Sequence, residues 1–304
     1  MLMFVGMQTG NLTDAADAAI MMAGILENVL VHPPVTHMDM TLEGYYATIA
    51  HVDVRFGRWH QIAGREFAGD PAFMPVSHAM HHQARAAALA ALGRHDEADM
   101  AAVDFDAARA CVPAGHAYFN NHADDILAVG AAMVRGEMAY HAGETESGFN
   151  WLREAVAAED RLVYTEPRAW IHPPRHALGA LLLEQGRIDE ARIIYERDLD
   201  HDDELPVSRQ NRGNVWSLSG LVECYEKLGD PRAGDAGAAL AAALPLADQP
   251  VTSSCFCRGR AGGSGTAGNG FICSAACPCP ARDGPWRRWH CSSRSCRLSC
   301  RRRR

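Results

Sequence analysis

The chain has 304 residues, 48% of them apolar, enough to bury a sizeable core, and its longest apolar stretch, 18–26, stops at Glu27, far short of the ~20 residues that span a bilayer. The net charge of −8 averages two unlike regions: from Arg258 onward there are eleven arginines and one acid, Asp283, which leaves 18 basic and 36 acidic residues in the remainder. An acidic body repels nucleic acid and anionic membrane, which excludes both as its partners.

Taken from the N-terminus, Met1-Leu2-Met3-Phe4-Val5 has neither the basic start nor the cleavage site of a secretory signal. Only Cys111 and Cys224 of the ten cysteines precede residue 255, so a reduced, cytoplasmic protein is expected. Alanine-rich runs such as 86–92 favour helix, β-branched residues are thinly spread, and Lys227 is the one lysine. A short pattern then recurs: a glycine, followed five positions later by a small or apolar residue. It appears as Gly10 with Ala15, Gly57 with Ile62, Gly93 with Ala98, Gly143 with Gly148, Gly186 with Ala191 and Gly229 with Gly234. The last three glycines are each 43 residues apart; the earlier gaps are 47, 36 and 50. The physical reading is helix, tight turn at glycine, second helix, with the small residue where the two helices approach closely. The clearest unit runs from His172 to Pro206, with Leu178, Gly179, Leu182 and Leu183 on its first helix and Ile188, Ala191, Ile194 and Tyr195 on its second. Gly136, Gly148, Leu152 and Ala155 sit at matching offsets in the unit before it, and Trp216, Gly220 and Tyr225 in the unit after.

Gly179, Gly186, Ala191 and Tyr195, closed by Pro206, resemble the tetratricopeptide repeat. Five further segments are similar to a large bacterial and fungal family of tetratricopeptide-domain proteins. They are Val54-Arg55-Phe56-Gly57-Arg58-Trp59; Phe119-Asn120-Asn121 with Ile126-Leu127-Ala128-Val129; the run from Arg175 to Arg187; Asn214-Val215-Trp216; and Ser254-Cys255-Phe256-Cys257-Arg258. The resemblance covers about 1–258. It implies an all-α fold, a right-handed α-solenoid of antiparallel helical hairpins over 1–250, with several hundred further residues before Met1 in such proteins. It carries no activity. A solenoid lacking its neighbouring repeat exposes the face meant to bury against it. Residues 251–304, rich in Gly, Arg, Ser, Cys and Pro, are expected to form a disordered tail, whose cysteines Cys273, Cys277, Cys279, Cys291, Cys296 and Cys300 do not make two C-x-x-C pairs.

Candidate site residues follow from the repeats. The first helix of each tetratricopeptide unit lines a concave face. By offset from Gly179, Gly220 and Gly136 that face carries His176, Asn214, Glu137 and Tyr140, with Arg175 and His82 as further candidates for gripping a protein or peptide. The bland alternatives are helix capping for Asn214 and an ion pair for Arg175. His78 and His82, four apart, share a helical face as a metal pair does, and Cys255 and Cys257 form a C-x-C pair; a half-buried histidine cluster and buried small hydrophobes are the competing readings. No phosphate loop, dinucleotide fingerprint or nucleophile elbow is present, so no cofactor is expected. The leading function is a scaffold that binds a protein or peptide, or a second copy of itself. The rivals are a metal- or histidine-dependent enzyme whose site lies partly upstream of Met1, and an incomplete gene product.

Overall fold

Glycine ends a helix in the left-handed region without the Cβ penalty of other residues, and in the computed structural model all six punctuating glycines sit there, from φ 62° at Gly57 to 91° at Gly143. The structure describes residues 1–29, 38–201 and 204–258. Met1–Ser264 forms one compact unit; the second unit, Gly265–Arg304, lies outside the described residues, as do the cysteines Cys273 to Cys300 and the tail expected after Arg258.

The described residues are all-α. Five hairpins turn at these glycines: α1 (Leu2–Thr9) with α2 (Leu12–Val29), α6 (Pro75–Ala91) with α7 (His95–Ala110), α8 (Ala123–His141) with α9 (Thr145–Arg161), α10 (Pro174–Glu184) with α11 (Ile188–Asp198), and α12 (Val215–Leu228) with α13 (Ala233–Ala243). Between the first two lie shorter helices, α3 (Met38–Tyr46), α4 (Thr48–Arg55) and α5 (Trp59–Gly64), with Gly57 separating α4 from α5. The strand pairing is one two-residue ladder, β1 (Ala117–Tyr118) against β2 (Asn121–His122), antiparallel.

Of the residues five beyond each glycine, Ala15, Ile62, Ala98, Gly148 and Ala191 are buried. Gly234 is not; Ala236 takes the inward position of that hairpin instead. The small residues act by letting helices approach. A Cβ on Gly136 would stand 2.8 Å from Leu152, and one on Gly148 would stand 3.0 Å from the Gly136 carbonyl. Tyr195 of α11 is clamped between two helices: a Cβ on Gly179 of α10 or on Gly220 of α12 would lie 2.5 Å or 2.3 Å from its ring.

In a simple solenoid each repeat touches only its neighbours. Here the first hairpin also rests on the last. Met3 and Met7 of α1 bury against Val215 and Trp216 of α12, and the Trp216 indole donates to the Met7 carbonyl at 2.6 Å. The start of α2 is capped from far along the chain, by Asp248, which accepts from the Leu12 and Thr13 amides at 2.6 and 2.9 Å. Residues 251–258 fold onto the body, with Ser254, Cys255 and Cys257 buried, because Phe256 packs over Gly57 and Trp216.

Candidate functional site

His176 stands in the first turn of α10, opened by Pro174, whose missing N–H has no helical partner at that position anyway. Its ring is completely buried between a cation and an anion. Arg55, at the end of α4, only donates, so its Nη1 contact of 2.6 Å makes Nδ1 of His176 the acceptor. The ring proton therefore sits on Nε2, 3.0 Å from Asp198 Oδ2 at the end of α11. Asp198 also accepts from Asn211 Nδ2 at 2.7 Å, Asn214 Nδ2 at 3.1 Å and Ser217 Oγ at 2.7 Å. Burial alone raises the Asp198 carboxyl, but His176 and the bonds from Asn211 and Ser217 outweigh it and hold the group well below the carboxylate range. For His176 burial wins over Asp198, and the ring stays neutral, since a second ring proton would point at Arg55. Burial draws the Arg55 guanidinium down to about 9, still charged at neutral pH.

The junction gathers the C-terminal segment as well. Arg55 Nη2 donates to the Ser254 carbonyl at 2.6 Å, Ser254 Oγ donates to the His176 carbonyl at 2.9 Å, and the Tyr195 and Ser254 hydroxyls meet at 2.5 Å. The Arg55 guanidinium lies 4.3 Å over the Trp216 ring, itself flanked by Phe56 and Phe256. Four segments that carry the family resemblance, those around Arg55, His176, Asn214 and Ser254, thus converge in space. A histidine held by an aspartate has the look of a catalytic dyad. Both ring nitrogens are occupied, however, and the ring is closed to solvent, so the arrangement ties α4, α10 and α11 together.

Of the other candidates, Asn214, Arg175, Tyr140 and Glu137 are buried, and His82 is half-buried. Asn214 is buried and caps α12, accepting from the Ser217 amide at 2.8 Å. Buried Arg175 pairs with Asp160 at 2.5 Å and Glu159 at 3.3 Å, and burial, against the pull of Arg175 and Arg168, raises Glu159 to about 7. Tyr140 donates to Glu184 at 2.6 Å and accepts from Gln185 at 2.8 Å. His82 is half-buried, 3.1 Å from His78 between Nε2 atoms. Cys255 and Cys257 are joined to each other in a disulfide, so neither is a thiolate able to ligate a metal. Among the described residues no group of three or more His, Cys, Asp or Glu is arranged around a metal ion.

Glu137 lies elsewhere, on a small internal cavity of about 10 Å³ lined also by His51, Gln83, Trp170 and His172. Four buried atoms on this lining lack hydrogen-bond partners: His51 Nε2, Glu137 Oε2, Trp170 Nε1 and His172 Nε2. Burial pushes Glu137 up to about 7, His51 down to about 4 and His172 well below its ordinary value. The void is the size of one water molecule.

Sequence reasoning missed Asp198, Arg55, Glu43 and Ser254. Glu43 is buried, accepting from the Ser77 amide and paired with His116 at 2.9 Å; burial raises its carboxyl despite His116. Asp198 did carry a signal: an acid in the last turn of a helix opposes the helix dipole and calls for a specific partner. Compared with known proteins, the chain matches no protein-family model, no curated protein and no solved structure.

Proposed function

We propose that the protein is a tetratricopeptide-like scaffold that holds an amphipathic helix of another protein against its first hairpin. The observation that carries the reading is the unpartnered apolar side of that hairpin: Leu2 and Val5 of α1, and Ile20, Met21 and Ile25 of α2, are exposed, Ile20 and Ile25 at 59% each. Large apolar side chains grouped on one supersecondary unit mark an interaction surface more than an ordinary solvated face. In hairpin arrays the natural cover for such a side is another helix, read through i, i+3, i+4 anchors. Exposed Asp14 and Asp17 on α2, within a strongly acidic body, favour a helix with basic flanks.

A fluorescent 20-residue leucine/lysine amphipathic helix tests this, with a leucine/glutamate helix of identical apolar stripe as control. Binding is expected for the first alone, weakened by salt, and lowered at least about tenfold by Ile20→Asp with Ile25→Asp, a loss of about 1.4 kcal/mol. Equal binding of the two peptides, or binding untouched by the double substitution, overturns the reading. A concentration-dependent dimer in light scattering that the same substitutions dissolve would assign the surface to a second copy of the chain instead.

A further inference from the structure

The three histidines of α6 are not used by the junction or the hairpin surface. His78 and His82 are one helical turn apart, their Nε2 atoms 3.1 Å from each other and their rings edge to face at 4.7 Å between centroids. Metal–imidazole bonds run at ~2.0–2.1 Å, so one ion touching both nitrogens at this separation subtends about 100°, between the square-planar and tetrahedral values. Helix geometry rather than loop flexibility sets the spacing, since residues four apart lie one above the other. We propose that His78 and His82 form a two-histidine site for a divalent transition-metal ion of the copper, nickel or zinc class.

The surroundings support the assignment. Both rings are half-buried and reachable from solvent. The two rings now face each other as an N–H and a lone pair; when the ion enters, the donor ring carries its proton on Nδ1 instead. At His82 that nitrogen is buried without a hydrogen bond, and the Asp104 carboxylate stands 3.9 Å away, the kind of outer carboxylate that fixes the tautomer of a ligating histidine. Phe67 and His81 wall the pair, at 5.0 Å from His78 and 5.4 Å from His82. Among the described residues no third protein ligand is in place, so water fills the remaining positions. Imidazole ligands with open positions favour copper(II) over nickel and zinc.

Titration of the full chain with copper(II), nickel(II) and zinc(II) by calorimetry tests the site. One ion per chain is expected, copper tightest, with affinity lowered at least about tenfold by either His78→Gln or His82→Gln. His81→Gln is expected to change it far less. Electron paramagnetic resonance of the copper complex is expected to count two imidazole nitrogens in the unaltered chain, a reading that stands even where a substituted chain fails to fold. Absence of binding, a single coupled nitrogen, or affinity that survives both substitutions would overturn the site and place the ion on other histidines among the fifteen.

Discussion

Two buried regions of this molecule use the same residue types and end in opposite states. Around Asp198, a carboxylate, a histidine and an arginine are fully desolvated, and hydrogen bonds satisfy the acid and both nitrogens of the ring. Around Glu137, a carboxyl group, two histidines and an indole line a common void, and each has a buried polar atom without a partner. The first keeps Asp198 charged because donors surround it; the second holds its groups near neutrality, because a buried charge without a partner is costly. The comparison shows that burial alone does not decide the protonation of a side chain. What decides it is whether neighbouring segments deliver donors to it, and Ser217 of α12, its cap Asn214 and Asn211 in the loop before the cap deliver three to Asp198.

The sharpest way to break the comparison is Asp198→Ala. It strands the Arg55 charge and the His176 N–H in the core, and a loss of about 3–5 kcal/mol is expected in urea unfolding. If the loss stays below about 1 kcal/mol, the junction is a bystander to stability. A pH series separates the regions next. His51 has its folded pKa depressed to about 4 from 6.5, so its contribution is complete above pH 6.5 and is lost as pH falls from there through 4. That group alone is worth on the order of 3 kcal/mol across the window. His172, His176, His81 and His82 are shifted the same way, so stability measured by denaturant is expected to fall steeply from pH 6.5 to 4.

Glu137→Gln sharpens the contrast from the other side. The folded pKa of Glu137 is raised to about 7, so its favourable contribution is complete below about 4.5 and is lost as pH rises through 7. The glutamine variant is therefore expected to match the parent near pH 4.5 and to exceed it increasingly up to pH 8, by at most about 3 kcal/mol. A difference independent of pH would mean that Glu137 does not titrate in this range. The smallest effect concerns the packing that brings α10, α11 and α12 to Asp198. Gly179→Ala drives a methyl into the Tyr195 ring, and Ala191→Leu overfills a fully buried site; each is expected to cost roughly 1–3 kcal/mol in thermal melts at fixed pH.

The hairpins were legible because their signals are local. A glycine required at positive φ and a small residue at a helix contact are each fixed within one unit, and both recur along the chain. His176 and Asn214 were also legible as special positions, but not their direction. Offset from a glycine says which side of a helix a residue takes, not what returns to cover that side. Arg55 and Ser254 cover it, 121 residues before His176 and 78 after it. The cavity was illegible for a related reason, since His51, Glu137 and Trp170 come from three segments with no shared spacing. That Phe256 packs on the body was illegible for the same reason, since its place depends on Gly57, far earlier in the chain, leaving room for it.

The cap that Asp248 places on α2 has a consequence for how the chain is made. Leu12 leaves the ribosome 236 residues ahead of the side chain that receives its amide hydrogen. At 5–20 residues per second that interval is roughly ten to fifty seconds, during which Met3 and Met7 also wait for Trp216 to cover them. The α1–α2 pair thus leaves the ribosome well before its final partners, and through that interval its apolar side chains are open to whatever holds nascent helices in the cell.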